Sequence, residues 1–129
     1  MTAAALLSAA IHTAIAIFQV LLVTGKPWGE YAWGGQHRGV LPRPLRFGSA
    51  VSAVVLLGFA LINLQSAGIT MITMPGIVVL RLQWAISVYA GLGTVMNAIS
   101  RSRRERLLWT PVCAVLLALN AYLLYAMPS

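Results

Sequence analysis

The sequence is poor in charge, and most of what it has is of one sign. Only Glu30 and Glu105 are acidic among 129 residues, against nine Lys and Arg, for a formal net charge of +7. Charged residues make up 9% of the chain and apolar ones 60%. A soluble domain carries about 25% charged residues and needs them to cover a small globule. The composition therefore excludes a soluble globular domain and a disordered chain. Cys113 is the single cysteine, so neither a disulfide framework nor a cysteine metal cluster can be built. It reads as a small apolar filler within a helix. The two acids fall in separate segments, which excludes a paired-carboxylate site. HExxH, CxxC and a phosphate-binding glycine loop are all missing. His12 and His37 are the only histidines, and just one of them is deep in an apolar run. That pattern suits neither a metal centre nor a haem held between helices. No metal and no cofactor are expected.

What is present is long apolar runs. A membrane-spanning helix needs ~20 mainly apolar residues, and four such runs occur, at about 3–24, 47–65, 76–99 and 108–126. The apolar residues do not alternate, so a β-barrel is excluded. The expected fold is an all-α, integral-membrane bundle of four transmembrane helices forming a single domain over residues 1–129. The first run lacks a basic residue before it, and Gly25-Lys26-Pro27-Trp28 makes a poor cleavage site. It reads as a retained helix and not as a signal peptide. Thr110-Pro111 reads as a cap and first turn of the fourth helix. Small residues four apart, Ala10/Ala14, Ser49/Ala53 and Ser87/Gly91, point to close helix packing.

The basic residues set the orientation. Lys26, Arg38, Arg43 and Arg46 follow the first run, and Arg101, Arg103, Arg104 and Arg106 follow the third. In a four-span chain those two connections share one face. Only Arg81 lies elsewhere. The positive-inside rule makes that face cytoplasmic and puts both termini outside. The expected setting is the bacterial cytoplasmic (inner) membrane, crossed several times. The basic connections would meet anionic lipid head groups, and the charge is thereby accounted for without nucleic acid. A homo-oligomer or a larger membrane complex are the other partners considered.

Residues 25–47 read GKPWGEYAWGGQHRGVLPRPLRF. This cytoplasmic loop is long against the 2–8 residues usual between bundled helices, and its glycines and prolines oppose a continuous helix. One reading makes it a binding lid. Trp28, Tyr31 and Trp33 would offer aromatic faces, His37 and Arg38 would hold an anionic group, and Glu30 would pair with a cation. The other makes it an interfacial anchor, with aromatics at head-group depth and cations on phosphates.

Pro27-Trp28-Gly29-Glu30-Tyr31-Ala32-Trp33-Gly34-Gly35-Gln36-His37, followed by Leu41-Pro42 and Leu45-Arg46, resembles small four-helix membrane proteins of bacteria, especially actinobacteria. Met96-Asn97, Ser100-Arg101-Ser102, Glu105-Arg106 and Thr110-Pro111-Val112 fit the same pattern. The resemblance covers most of the chain. It implies a four-span topology and assigns no functional residue.

Polar residues inside the spans are the second candidate region. At ~1.5 Å rise per residue, His12, Ser87 and Asn120 lie ~18–20 Å from the cytoplasmic ends, and Asn63 ~24 Å. Arg81 and Gln83 lie nearer the outer end of the third helix, and Gln19 and Asn97 nearer the inside. His12, Asn63, Ser87, Asn120 and Arg81 are read as an intramembrane polar cluster, with His12 neutral when buried. The alternative is ordinary hydrogen bonding between helices. Three function classes follow. The first is a protein that binds or transports a small ligand or lipid through an interhelical pocket covered by the 25–47 loop. The second is an accessory subunit of a larger membrane complex. The third is a small enzyme acting on a lipid or amphiphile; the missing catalytic motifs weigh against it.

Overall fold

The computed structural model describes residues 1–69 and 72–127. It contains four long helices: α1 (Thr2–Val23), α2 (Arg43–Ser66), α3 (Gly76–Ala98) and α4 (Arg103–Ala126). Each is long and apolar enough to cross a membrane. At 22 residues, the shortest is ~33 Å long, against a hydrocarbon core of ~30 Å. The chain is thus a small multi-pass membrane protein built as an all-α, four-helix bundle. α1 packs most extensively on α2, and α3 on α4; α1–α4 and α2–α3 contacts close the ring.

Local chemistry fixes the helix ends. α1 and α2 finish in the same way. Gly25 (φ 101°) and Gly68 (φ 82°) take left-handed conformations. The N–H groups of Gly25 and Lys26 turn back to the carbonyls of Leu22 and Leu21, and those of Gly68 and Ile69 to Gln65 and Leu64. This is the Schellman arrangement, which satisfies carbonyls the helix itself leaves open. Arg46 adds a clamp, donating from Nε (3.0 Å) and Nη2 (2.7 Å) to the Val23 carbonyl. The start of α2 thereby caps the end of α1.

Two helix starts differ from the sequence expectation. α2 begins at Arg43, with proline in its first turn, four residues before the apolar run. α4 begins at Arg103, and Pro111 lies inside it. The Thr110-Pro111 cap expected from sequence is therefore wrong. Ser102 is the cap instead: its Oγ accepts the Glu105 N–H at 3.2 Å. Ser-x-x-Glu is the stronger signal, because it satisfies an open N–H and sets a negative charge at the positive end of the helix dipole. Pro111 removes one interior N–H from α4, and the Thr110 hydroxyl beside it is buried without a partner among the described residues.

The small-residue pattern holds in part. Ser49 and Ala53 are buried on α2, but Ala10 and Ala14 are exposed. The packed face of α1 is Ala5, Ser8, Ala9, His12 and Ala16, following a helical stripe rather than one four-residue pair.

Candidate functional site

The connection between α1 and α2 folds as a cap over one end of the bundle. It contains two short 3₁₀ turns, Gly29–Tyr31 and Trp33–Gly35. A buried cluster of Leu22, Ala32 and Leu41 seats it, with Phe18 and Leu45 packed alongside. Phe18 stacks on Trp28 and tilts against Trp109. Close approaches at Gly29, Gly35 and Gly48 need glycine. A Cβ on Gly29 would lie 2.0 Å from the His37 carbonyl oxygen, and one on Gly48 would lie 2.7 Å from the Trp33 ring. Trp33 itself is held at φ 52°, a region that strains any residue with a Cβ. The ring seated at Gly48 and the Nε1–H donated to Ser49 Oγ at 3.0 Å hold it there.

The cap also bonds the next basic connection. Ser102 Oγ donates to the Glu30 carbonyl, and Trp109 Nε1–H donates to the Tyr31 carbonyl at 2.7 Å. Arg104 pairs with Glu30 Oε1 at 2.8 Å and lies over the Tyr31 ring. Lys26 stands over the Trp28 ring. Beneath, Ser100 Oγ donates to Glu105 Oε2 at 2.7 Å, and Arg106 donates to the Ser100 carbonyl. The two basic connections thus meet at one end of the molecule, as the span count implies.

The six loop residues proposed from sequence do not converge on one cavity. Glu30 and Tyr31 face Arg104, and Trp33 is inserted at α2. Trp28 lies against Phe18, and His37 and Arg38 are exposed.

The second polar region crosses the bundle interior. His12 is buried, and its Nδ1–H donates to the Ser8 carbonyl at 2.9 Å. Ser8 Oγ lies 3.4 Å from the same nitrogen and accepts Asn120 Nδ2–H at 2.9 Å. Asn120 also donates to the Leu116 carbonyl, and its Oδ1 accepts Gln83 Nε2–H at 2.5 Å. One chain of hydrogen bonds therefore runs through α1, α4 and α3. His12 joins Asn120 through Ser8, whereas the Ser87 hydroxyl donates back to the Gln83 main-chain carbonyl of its own helix. Asn63 is buried but turns its amide back to Phe59 of its own helix, the usual local solution for a polar group within a helix. Its Oδ1, Gln83 Oε1 and Gln19 Oε1 are buried with no partner among the described residues. Arg81 does not belong with this cluster: it is exposed on the outside of α3, where its charge escapes burial.

The sequence reading missed Ser8 as the link and did not connect Gln83 to Asn120. Counting from the uncapped end shows the signal. Ser8 lies six residues beyond Thr2, Gln83 seven beyond Gly76, and Asn120 six before Ala126, so all three share one level.

Next to this level is an open groove between α3 and α4, of about 590 Å³. Trp84, Ser87, Val88 and Gly91 form one wall, and Leu117, Ala121, Leu124 and Tyr125 the other. No residue of the 25–47 segment borders it, so it is not the loop-covered pocket expected from sequence. No family model, curated protein or solved structure matches this chain.

Proposed function

We propose that the protein is a membrane-embedded binding module that takes the apolar part of an amphiphile into the α3–α4 groove. The observation that carries this reading is the position of Ser87. It lines the groove one helical turn from Gln83, the α3 member of the buried polar chain, with its hydroxyl donating back to the Gln83 main-chain carbonyl. Its lining combines small Ser87, Gly91 and Ala121 with the aromatic rings of Trp84 and Tyr125. A pocket with apolar walls and a few placed polar groups is the usual form of a small-molecule site. The capped end supports binding over a lid mechanism, because most of its polar groups are already engaged within the protein. In this reading the basic cap faces the cytoplasm, on anionic head groups of the inner leaflet, and both termini face out. The setting is the bacterial cytoplasmic membrane.

Native mass spectrometry of the detergent-purified protein tests the reading. The wild type should retain an amphiphile that Gly91→Leu releases. A Cβ at Gly91 meets only Leu117 Cδ1, at 3.8 Å, so this variant should fold while filling the groove. Equal retention by both proteins would refute the groove as the binding site.

A further inference from the structure

One charged side chain shares the helix face that borders the groove. Arg81 is the only basic residue outside the two basic connections, and both acids, Glu30 and Glu105, lie at the capped end. Arg81 precedes Trp84 by three residues and Val88 by seven on α3. That spacing puts the three residues on one helix face, and Trp84 and Val88 both line the groove. Arg81 is exposed and five residues from the start of α3 at Gly76, hence ~7–8 Å from the uncapped end of that helix. A long arginine stem at this depth reaches the interface with its head while its methylenes stay on apolar surface. Below it the groove runs from Trp84 to Gly91, ~10 Å along the helix axis, bordered by apolar and small side chains.

We infer that the groove holds an acyl chain of an anionic phospholipid, with the Arg81 guanidinium on its phosphate. This rests on the reading of the groove given above and adds the class of head group. The argument is charge complementarity. Both acidic side chains lie at the opposite end of the bundle, and no described residue pairs with the Arg81 guanidinium, whose planar donor fork matches two phosphate oxygens. Tyr125, one residue from the end of α4, then stands at the depth where aromatic rings border head groups. The apolar walls explain why the ligand is a lipid and not a free phosphate.

The test must report from the groove itself, because the eight cations of the capped end also attract anionic lipid. Phospholipids with a photoreactive group in the acyl chain, headed by phosphatidylglycerol or by phosphatidylcholine, are incorporated with the whole protein into nanodiscs. Adducts are then mapped by peptide. The phosphatidylglycerol probe should label residues 84–91 and 117–125 about tenfold more than the phosphatidylcholine probe, because both carry the phosphate but the choline ammonium repels the Arg81 guanidinium. Arg81→Gln should bring the two probes level while labelling persists, and Arg81→Lys should keep part of the preference. Gly91→Leu should abolish groove labelling by both. A preference that survives Arg81→Gln overturns the head-group assignment and leaves the groove standing. Groove labelling untouched by Gly91→Leu overturns the groove reading itself. Loss of labelling on adding water-soluble glycerol phosphate overturns the requirement for the acyl chain.

Discussion

At the capped end, side chains bond to backbone: Trp109 to the Tyr31 carbonyl, Ser102 to the Glu30 carbonyl, Arg46 to the Val23 carbonyl. In the interior, the link between helices is side chain to side chain, from Ser8 through Asn120 to Gln83, and the amide oxygens of Gln83 and Asn63 have no partner among the described residues. The difference follows from what each region must satisfy. An irregular segment at the membrane boundary has backbone groups with no helix to pair them, and its polar side chains are recruited for that task. A helix satisfies its own backbone, so polar side chains within it remain available to each other or to a ligand. A high density of polar and aromatic residues in a loop is therefore weak evidence of a site. A buried polar atom without a partner, on a continuous helix, is stronger evidence.

Breaking the cap should have the largest effect. Gly29→Ala forces a Cβ against the His37 carbonyl at 2.0 Å and the Gly39 carbonyl at 2.6 Å. Both oxygens belong to backbone, and Gly29 N–H is bonded to that of Gly39, so relief requires moving the cap. The expected cost is about 3 kcal/mol, at the upper end of overpacking penalties. It would be read as a lowered midpoint in denaturant together with rapid proteolysis across residues 24–42. Gly58→Ala is the matched control, since a Cβ there meets nothing within 4 Å and replaces a mid-helix glycine. It should be neutral or slightly stabilising.

Breaking the interior chain should come next. Asn120→Leu removes the central member and leaves the Gln83 amide and the Ser8 hydroxyl without their inter-helix partner. The loss should be about 2 kcal/mol, because buried groups are stranded and not merely deprived of a bond. Replacing Asn120 and Gln83 together by leucine should cost less than Asn120→Leu alone, since neither stranded amide of that pair remains. A double variant less stable than the single one, by unfolding in detergent, would mean that packing and not hydrogen bonding sets the value of this layer.

These outcomes bear on what the sequence alone could convey. Hydrophobic runs marked all four helices, and their bounds were off mainly where charged residues enter a first turn, at Arg43–Arg46 and Arg103–Arg106. The membrane criterion counts apolarity, whereas the helix is set by Ser102 and Glu105 and by proline at the start of α2. The level of the interior chain was legible by counting from the uncapped end, because antiparallel helices of similar length align Ser8, Gln83 and Asn120. Depth groups Asn63 with His12, Ser87 and Asn120, and Arg81 joins the sequence reading as the outer part of the same polar cluster. Depth does not say which way a residue points: Asn63 bonds its own helix, and Arg81 faces outward. The groove was half legible: Ser87 and Gly91 form a small-residue pair that points to close packing, whereas they line an open groove.

Within the cap, Trp109→Phe separates the hydrogen bond from the ring. The benzyl ring can still face Phe18, while the donor to Tyr31 O, 2.7 Å away, is gone. A loss of about 1 kcal/mol is expected, the net value of a typical hydrogen bond. Its signature would be faster amide exchange at Tyr31 and Ala32 with α1 unaffected.

The smallest effect should come from the contact that most resembles a binding site, the Glu30–Arg104 pair. The distance is short, at 2.8 Å, but the side chains are 30% and 63% exposed. Exposed ion pairs gain little because water solvates both partners well and salt screens what remains. Glu30→Gln keeps the side-chain shape, and the Ser102 bond to the Glu30 carbonyl depends only on backbone. The variant should therefore unfold at the same denaturant midpoint as wild type in physiological salt, with a small deficit emerging only at low ionic strength. Ser102→Ala, which removes both the α4 cap and the bond to the Glu30 carbonyl, should be clearly the worse of the two at every salt concentration. If Glu30→Gln instead opened the cap as Ser102→Ala does, the ion pair would be holding the cap shut, and the backbone bonds would be too weak to do so alone.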